Sequence, residues 1–333
     1  MKKKIITHTV VLVLSLFLTT SFVYADSPDT LFYTGLAYLQ GNGVEADTNR
    51  GRSLLREAAN AGSKEALDYL FNLVKATALY LNTQDSTLKS SVISIPVCNR
   101  PTLLQEEAET FQEAVDQGVA DANYYLAFCC LHEIGMMYNP ERAAQLNKSA
   151  VDSGNTSAMI ELGLQYENGT GVEQDFLKAK ELYEQAEKQN DKEALCRLAW
   201  IYALGHGVKQ DLALAHELFI KADNKGVATA KIHMGTLSAM LETGAEGMKI
   251  DQEWATYFLE ESARLGVSYA KYKLGCRYAT GTFGLSENFD MAYTLLSEAF
   301  NGGYTEAADV LYTIGMALYN GDNGYERDLI RVY

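Results

Sequence analysis

One spacing recurs seven times along this chain: a Gly or Asn is followed, four residues later, by an Ala. The pairs are Gly62 and Ala66, Gly118 and Ala122, Gly154 and Ala158, Asn190 and Ala194, Gly226 and Ala230, Gly266 and Ala270, and Gly303 and Ala307. Successive alanines are 56, 36, 36, 36, 40 and 37 residues apart. A fixed period of this size indicates an array of stacked repeats. Such arrays build extended concave surfaces, which usually hold another macromolecule.

The segment 158–190 shows what one period encodes. Its first half carries small and apolar residues at helical spacing, namely Ala158, Leu162, Gly163 and Tyr166. Gly169 and Gly171 then interrupt the helix, because glycine adopts positive φ at little cost. Asp175 follows, where its carboxylate is placed to accept from the free amides of a second helix. That helix has the apolar face Phe176, Ala179, Leu182, Tyr183 and Ala186. The chain is therefore predicted to be all-α, built of antiparallel helix pairs.

The recurring pattern, A-x₃-L-G-x₂-Y-x₂-G-x-G-V-x₂-D followed by A-x₃-Y/F-x₂-A and G-x₃-A, resembles the Sel1-like repeat, a relative of the tetratricopeptide repeat. The resemblance covers about residues 30–325. It implies an α/α solenoid, a right-handed superhelix whose first helices line the concave side.

The predicted organisation is a signal peptide at 1–25 and a single solenoid domain at 26–333. The repeat units are 30–65, 66–121, 122–157, 158–193, 194–229, 230–269 and 270–306, with a capping helix within 307–333. The second unit is about 20 residues too long, and we expect its excess, 83–102, to form a loop. The third unit has lost the Gly-x-Gly-Val turn and carries His132-Glu133-Ile134-Gly135 instead.

The N-terminus has the composition of a secretory signal peptide. Three lysines at positions 2–4 precede an apolar stretch at 5–18, and small residues before position 26 predict cleavage after Ala25. The alternative is an uncleaved anchor, although the apolar run is short for a spanning helix. We therefore expect an exported protein without stable membrane insertion after cleavage. The periplasm is the expected location, and the extracellular space is the alternative.

The charge balance restricts the class of partner. The chain has a formal net charge of −15, and loss of 1–25 would remove three lysines and no acidic residue, leaving −18. Nucleic acid and anionic lipid both require a basic footprint, so neither is expected as a partner. A protein with a basic surface fits this charge, while the simpler alternative is that the charge serves solubility alone.

Five cysteines enter a compartment that is expected to be oxidising, and an odd number leaves at least one without an intrachain partner. A single disulfide between Cys98 and either Cys129 or Cys130 is a possible pairing. Cys196 and Cys276 lie among apolar residues of first helices, so a buried, reduced role is as plausible for them.

No motif predicts catalysis. His132-Glu133 lacks the second His of a zinc-protease motif, and five scattered His residues form no metal-binding set. Some cysteine-rich Sel1-like proteins have been associated with penicillin binding or β-lactamase activity, but their paired-cysteine ladder is missing here. We expect no enzyme activity, no catalytic residues, no cofactor and no metal.

The candidate binding residues are side chains of first helices that the repeat pattern does not require. They are Tyr33, Tyr69, Tyr124, Tyr125, Glu161, Arg197, Trp200, His233, Tyr272 and Lys273. Most occupy one repeat position whose chemistry varies from unit to unit, as expected of a binding surface on a fixed scaffold. Tyr and Trp give large contact area at low entropy cost. The alternative is that these side chains only fill gaps between units.

The expected function is that of an exported, non-enzymatic scaffold or adaptor of the cell envelope, which binds another protein through its concave first-helix surface. One alternative is a periplasmic immunity protein that neutralises an envelope-directed toxin, such as a phospholipase effector. Another is a host-facing binding or virulence factor.

Overall fold

The computed structural model describes residues 27–83 and 100–320. It divides into two compact units, Met1–Gln174 and Asp175–Tyr333, which we describe one at a time. Fifteen α-helices and no β-strand occur among the described residues. None of these helices combines the length and the apolar character that crossing a bilayer requires.

The first unit contains seven of these helices. In chain order they are α1 (Pro28–Gln40), α2 (Thr48–Asn60), α3 (Lys64–Thr83), α4 (Arg100–Asp116), α5 (Ala122–His132), α6 (Pro140–Asp152) and α7 (Thr156–Asn168). Odd-numbered helices are the first helices of their repeats. The core of this unit is apolar and includes the fully buried Leu55, Leu67, Phe111 and Leu126.

The second unit contains the other eight. They are α8 (Phe176–Lys188), α9 (Glu193–Leu204), α10 (Leu212–Asn224), α11 (Ala230–Thr243), α12 (Gln252–Arg264), α13 (Ser268–Thr280), α14 (Phe289–Asn301) and α15 (Ala307–Asn320). A short 3₁₀ helix, Ala245–Gly247, lies between α11 and α12. Leu195, Phe219, Met234 and Phe258 are fully buried in the core.

Helix packing within each unit follows the repeat. Consecutive helices pack on one another, as α1 does on α2 and α13 on α14. Helices at the same place in successive repeats also touch: α1 contacts α3, α2 contacts α4, and α9 contacts α11. This two-way pattern of contacts confirms the predicted α/α solenoid of antiparallel helix pairs.

The positions that define the period have the predicted backbone conformation. The Gly or Asn that begins each of the seven spacings has positive φ: Gly62, Gly118, Gly154, Asn190, Gly226, Gly266 and Gly303. Second helices begin at a capping side chain that accepts from a free backbone N–H, as predicted for Asp175 and found also at Asp47, Asp211 and Asp251. Local chemistry at helix ends therefore sets the repeat boundaries.

The turn of the third unit is a correction to the sequence analysis. Although the glycine pattern is lost, the backbone conformation is kept, because Glu133 at φ 54° and Gly135 at φ 68° take the places of the two glycines. Glu133 is the C-cap of α5 and its N–H donates to the Cys129 carbonyl. A side chain in this left-handed region costs about 1–2 kcal/mol relative to glycine.

We expect Glu133→Gly to raise the free energy of unfolding by about 1 kcal/mol, because it removes this conformational cost. The matched control is Gly169→Ala at the equivalent position, where an added Cβ meets only ordinary contacts at 3.5 Å or more. That variant should lose a similar amount. Hydrogen exchange of the α5 and α7 amides measures both, and a destabilised Glu133→Gly protein would contradict the assignment.

The predicted loop 83–102 is partly helical where the structure describes it. Thr83 is the last residue of α3, and Arg100 begins α4. Residues 84–99 lie outside the described residues, as does the predicted signal peptide 1–25. The division into repeat units and a single domain stays a prediction.

Candidate protein-binding surface

In the first unit, two of the predicted tyrosines on first helices contact the same buried phenylalanine. Tyr33 on α1 is 51 % exposed, and Tyr69 on α3 is half-buried. Both pack edge-on against Phe32, with ring centroids 5.2 Å and 6.4 Å away. Because Phe32 is buried and contacts both rings, it restricts the positions of the Tyr33 and Tyr69 side chains.

The sequence analysis placed Tyr125 among the binding residues, but its side chain is buried in the structure, with only 4 % exposed. Its ring lies 4.7 Å from Phe71 and 5.6 Å from Phe111, and its hydroxyl donates a short hydrogen bond to Asp68. Burial and then this bond raise the pKa of Tyr125 well above its usual range. Tyr125 belongs to α5 and packs against α3 and α4, so its ring has no surface to offer a partner.

An aromatic group that sequence reasoning missed surrounds Tyr124, which is half-buried on α5. Phe71 lies 5.5 Å from Tyr124 and 5.0 Å from Phe128. The Lys75 ammonium stands over both phenylalanine rings, at 5.3 Å and 5.5 Å from their centroids. Phe71 and Lys75, and likewise Tyr124 and Phe128, are four residues apart, and this spacing could have predicted that each pair shares one face of its helix.

Glu161, another of the predicted residues, lies on α7 and is half-buried.

In the second unit, the structure brings together three predicted residues from neighbouring first helices. Arg197 and Trp200 lie on α9 and His233 lies on α11, all half-buried. The Trp200 and His233 rings are 5.8 Å apart, and both pack on the buried Phe219. The result is a rigid aromatic surface beside a guanidinium group, a combination common in protein interfaces.

We expect acid to destabilise this part of the second unit. Burial, and then the charge of Arg197, hold the pKa of His233 below its usual value. The unfolded chain therefore binds more protons than the folded one as pH falls through about 6.5, so His233 favours folding fully only above that pH. Between about pH 7.5 and pH 5, the wild type should lose more stability than His233→Gln. Thermal unfolding followed by Trp fluorescence tests this, and equal losses would refute it.

A second cluster in this unit surrounds Tyr272 and Lys273 on α13. Tyr272 is half-buried and its ring lies 4.7 Å from that of Tyr304, while Lys273 is exposed and lies 5.9 Å from the centre of Tyr269. Tyr269 and Tyr304 are 5.7 Å apart. Tyr304 lies in the link before α15 and was missed, although its place directly after Gly303 puts it beside the preceding first helix.

The four described cysteines form no disulfide with one another. Cys129, Cys130 and Cys196 are buried and Cys276 is half-buried. Burial raises the pKa of Cys129 to about 12 and that of Cys196 to about 11, so neither is an activated nucleophile. Cys98 lies outside the described residues, and its pairing with Cys129 or Cys130 stays a prediction.

No three His, Cys, Asp or Glu side chains within residues 27–83 and 100–320 come together in a way that would hold a metal ion. Nothing in this described part indicates catalysis.

The helix pairs match the model of a known family. The Sel1 repeat model matches six segments: 28–63, 120–155, 156–191, 192–226, 228–267 and 268–304. These segments cover more than half of the chain. The chain belongs to the Sel1 repeat family. Sel1 repeats mediate protein–protein interaction, and proteins of this family are generally scaffolds without enzymatic activity. The model does not match 64–119, where the irregular second unit lies.

Three solved structures are similar to this Sel1-repeat protein. A protective antigen of uropathogenic Escherichia coli strains, which has an SLR fold, is 21 % identical and covers 92 % of this chain and 67 % of its own (TM-score 0.48). A Sel1 repeat protein from Oxalobacter formigenes is 22 % identical and covers 86 % of this chain and 92 % of its own (TM-score 0.44). An immunity protein from Pseudomonas aeruginosa is 21 % identical and covers 64 % of this chain and 75 % of its own (TM-score 0.29). No curated protein matches the chain.

Proposed function

We propose that this Sel1-repeat protein is an exported scaffold of the cell envelope that binds another protein through the first helices of its units. It supplies no chemistry of its own. Its role is to hold a partner, and its family supports that role.

The observation that carries the proposal is the surface of Arg197, Trp200 and His233. These side chains come from two successive repeats and pack 5.8 Å apart at the Trp200–His233 contact. They combine aromatic area with charge on a backbone fixed by the solenoid. Tyr33 and Lys273 add exposed contact groups on other first helices.

The test is an affinity pull-down of the purified protein, residues 26–333, from an envelope extract of its own source, with mass spectrometry of the retained proteins. The variant Tyr33→Ser with Arg197→Glu changes one exposed side chain and the guanidinium of the surface of Arg197, Trp200 and His233, and it replaces no buried residue. The matched control is Tyr293→Ser with Lys148→Glu on second helices. Tyr293 is 56 % exposed, close to the 51 % of Tyr33.

A partner that the wild type and the control retain, and that the first-helix variant loses at least about tenfold, supports the proposal; this loss corresponds to about 1.4 kcal/mol. A partner lost equally by both variants, or by neither, contradicts it. Fractionation of the source cells tests export directly, because a chain that keeps residues 1–25 and stays in the cytoplasm would remove the envelope role.

Inhibition of an envelope-directed toxin is a second candidate, and the acidic charge of the chain favours it. A net charge of −15 complements a basic effector and would speed their association. Co-expression of this protein with a basic effector encoded beside it tests the idea. Restored growth supports the immunity role, and unchanged killing removes it. Recovery of a host protein in the pull-down would instead favour a host-facing role.

A further inference from the structure

A groove of about 620 Å³ opens in the second unit, and Arg197, Trp200 and His233 are not among its lining residues. It lies where the turn after α9 meets the beginnings of α10 and α12. Its lining is mixed: the Tyr202, Leu212 and Trp254 side chains are half-buried, and charged groups stand around them. The charged residues are Lys209, Asp211 and Asp251.

The groove exists because one turn departs from the repeat. In the preceding repeat, a Cβ added to Gly207 would lie 3.1 Å from the Cβ of Phe176, the first residue of α8, so that turn covers the start of the helix. The corresponding glycine after α11 is Gly247, in the expanded turn with the 3₁₀ helix. Among the described residues, no atom lies within 4 Å of a Cβ added there. Leu212, the first residue of α10, therefore lines an open groove.

The groove offers a cation two carboxylates and an aromatic ring. Asp211 and Asp251 each use one carboxylate oxygen to cap a helix, accepting from Leu214 N at 2.9 Å and from Trp254 N at 3.1 Å. In the described part of the chain the second oxygen of each carboxylate caps no helix, so it can accept from a donor of a partner. Tryptophan is the strongest aromatic acceptor of a cation–π contact. The Trp254 ring is held in place by Tyr257 at 5.4 Å and Phe258 at 5.6 Å.

We propose that this groove holds an arginine side chain from a basic segment of the partner protein. A guanidinium is planar, stacks on aromatic rings and donates to carboxylates, which suits a groove lined by Trp254, Asp211 and Asp251. Lys209 and the positive N-terminal ends of α10 and α12 oppose the cation and weaken the site. The inference rests on the proposed protein-binding function, but it concerns residues other than Arg197, Trp200 and His233.

The experiment follows the tryptophan indole signals of the protein by NMR. The chain has two tryptophans, so Trp200→Phe assigns the signal of Trp254. The probe is the blocked tetrapeptide Ac-Gly-Arg-Gly-Gly-NH₂, and its control carries citrulline, which has the shape of arginine without its charge. The arginine peptide should shift the Trp254 signal in a saturable manner and leave Trp200 unmoved, whereas the citrulline peptide should have no effect.

Charge variants give changes of opposite sign. Asp211→Asn and Asp251→Asn keep a good helix cap and remove a negative charge, so each should weaken peptide binding by about two- to fivefold. Lys209→Gln should strengthen binding by a similar factor. The proposal is overturned if the Trp254 signal stays constant or shifts equally with the citrulline peptide. It is also overturned if none of the three substitutions changes the affinity for the arginine peptide.

The outcomes separate this proposal from the proposed function. If the pull-down yields a partner lost by the first-helix variant while the arginine peptide has no effect, the scaffold function stands and the groove proposal fails. If the peptide binds as expected and no partner depends on the first helices, the groove is a cation site and the first-helix surface is refuted.

Discussion

Gly171→Ala is expected to destabilise the first unit by at least about 3 kcal/mol, among the larger effects of a single methyl group. Gly171 has φ 72°, and an added Cβ would overlap the carbonyl group of Pro140, the first residue of α6. The obstacle is backbone and cannot rotate away. The turn after α7 would therefore have to separate from α6, which would open the contact between these two repeats.

The matched control is Gly43→Ala, at the same position of the first repeat. Gly43 has φ 78°, but no described atom lies within 4 Å of its added Cβ, because no second helix precedes it among the described residues. It should lose only the conformational cost of about 1–2 kcal/mol. Hydrogen exchange of the α6 and α7 amides, and of α1 and α2 for the control, measures the local free energies of opening. Equal losses in the two variants would show that contact with α6 adds nothing.

Glu107→Gln is expected to cost about 3 kcal/mol, because it leaves two cations without their buried counter-charge. Glu107 on α4 is fully buried, and its carboxylate accepts from Arg52 at 2.8 Å and from Arg56 at 3.0 Å. Both arginines lie on α2, so the two ion pairs join two second helices of the first unit. Glutamine keeps the shape of the side chain and removes the charge that compensates the guanidinium groups.

The adjacent Glu106 supplies the control. Its carboxylate pairs with Arg56 at 2.5 Å, but its side chain is 43 % exposed. Solvent screens such a pair, so Glu106→Gln should cost less than about 1 kcal/mol. Urea unfolding and hydrogen exchange of the α2 and α4 amides compare the two variants. If Glu106→Gln proved as costly as Glu107→Gln, burial would not be the source of the effect.

The repeat could be read from the sequence because its signals are local. The capping carboxylate of Asp175 and the left-handed Asn190 depend on helix ends a few residues away, and both behave as predicted. The turn at Glu133 shows the limit of such patterns. The sequence alone suggested that the turn was lost, yet its backbone conformation is kept and it packs against α4, where an added Cβ on Gly135 would overlap the carbonyl of Leu104.

The candidate site was less predictable, because side-chain exposure depends on distant segments. Tyr69 and Tyr125 occupy the same repeat position, yet Tyr69 stays half-buried while Phe71, Phe111 and Asp68 enclose Tyr125. Phe111 belongs to α4, which follows the irregular stretch of the second unit. Spacing within one helix carries no information on which neighbour covers it.

The helix pairs, their period and their boundaries could be read from the amino-acid sequence, since helix caps and apolar stripes act over a few residues. Tertiary structure alone decided which first-helix side chains reach solvent, that Glu107 would be enclosed between Arg52 and Arg56, and that the turn at Gly247 would leave a groove over Leu212. These outcomes depend on how one repeat packs against the next, where burial and steric overlap join residues that are 30 to 60 positions apart in the chain.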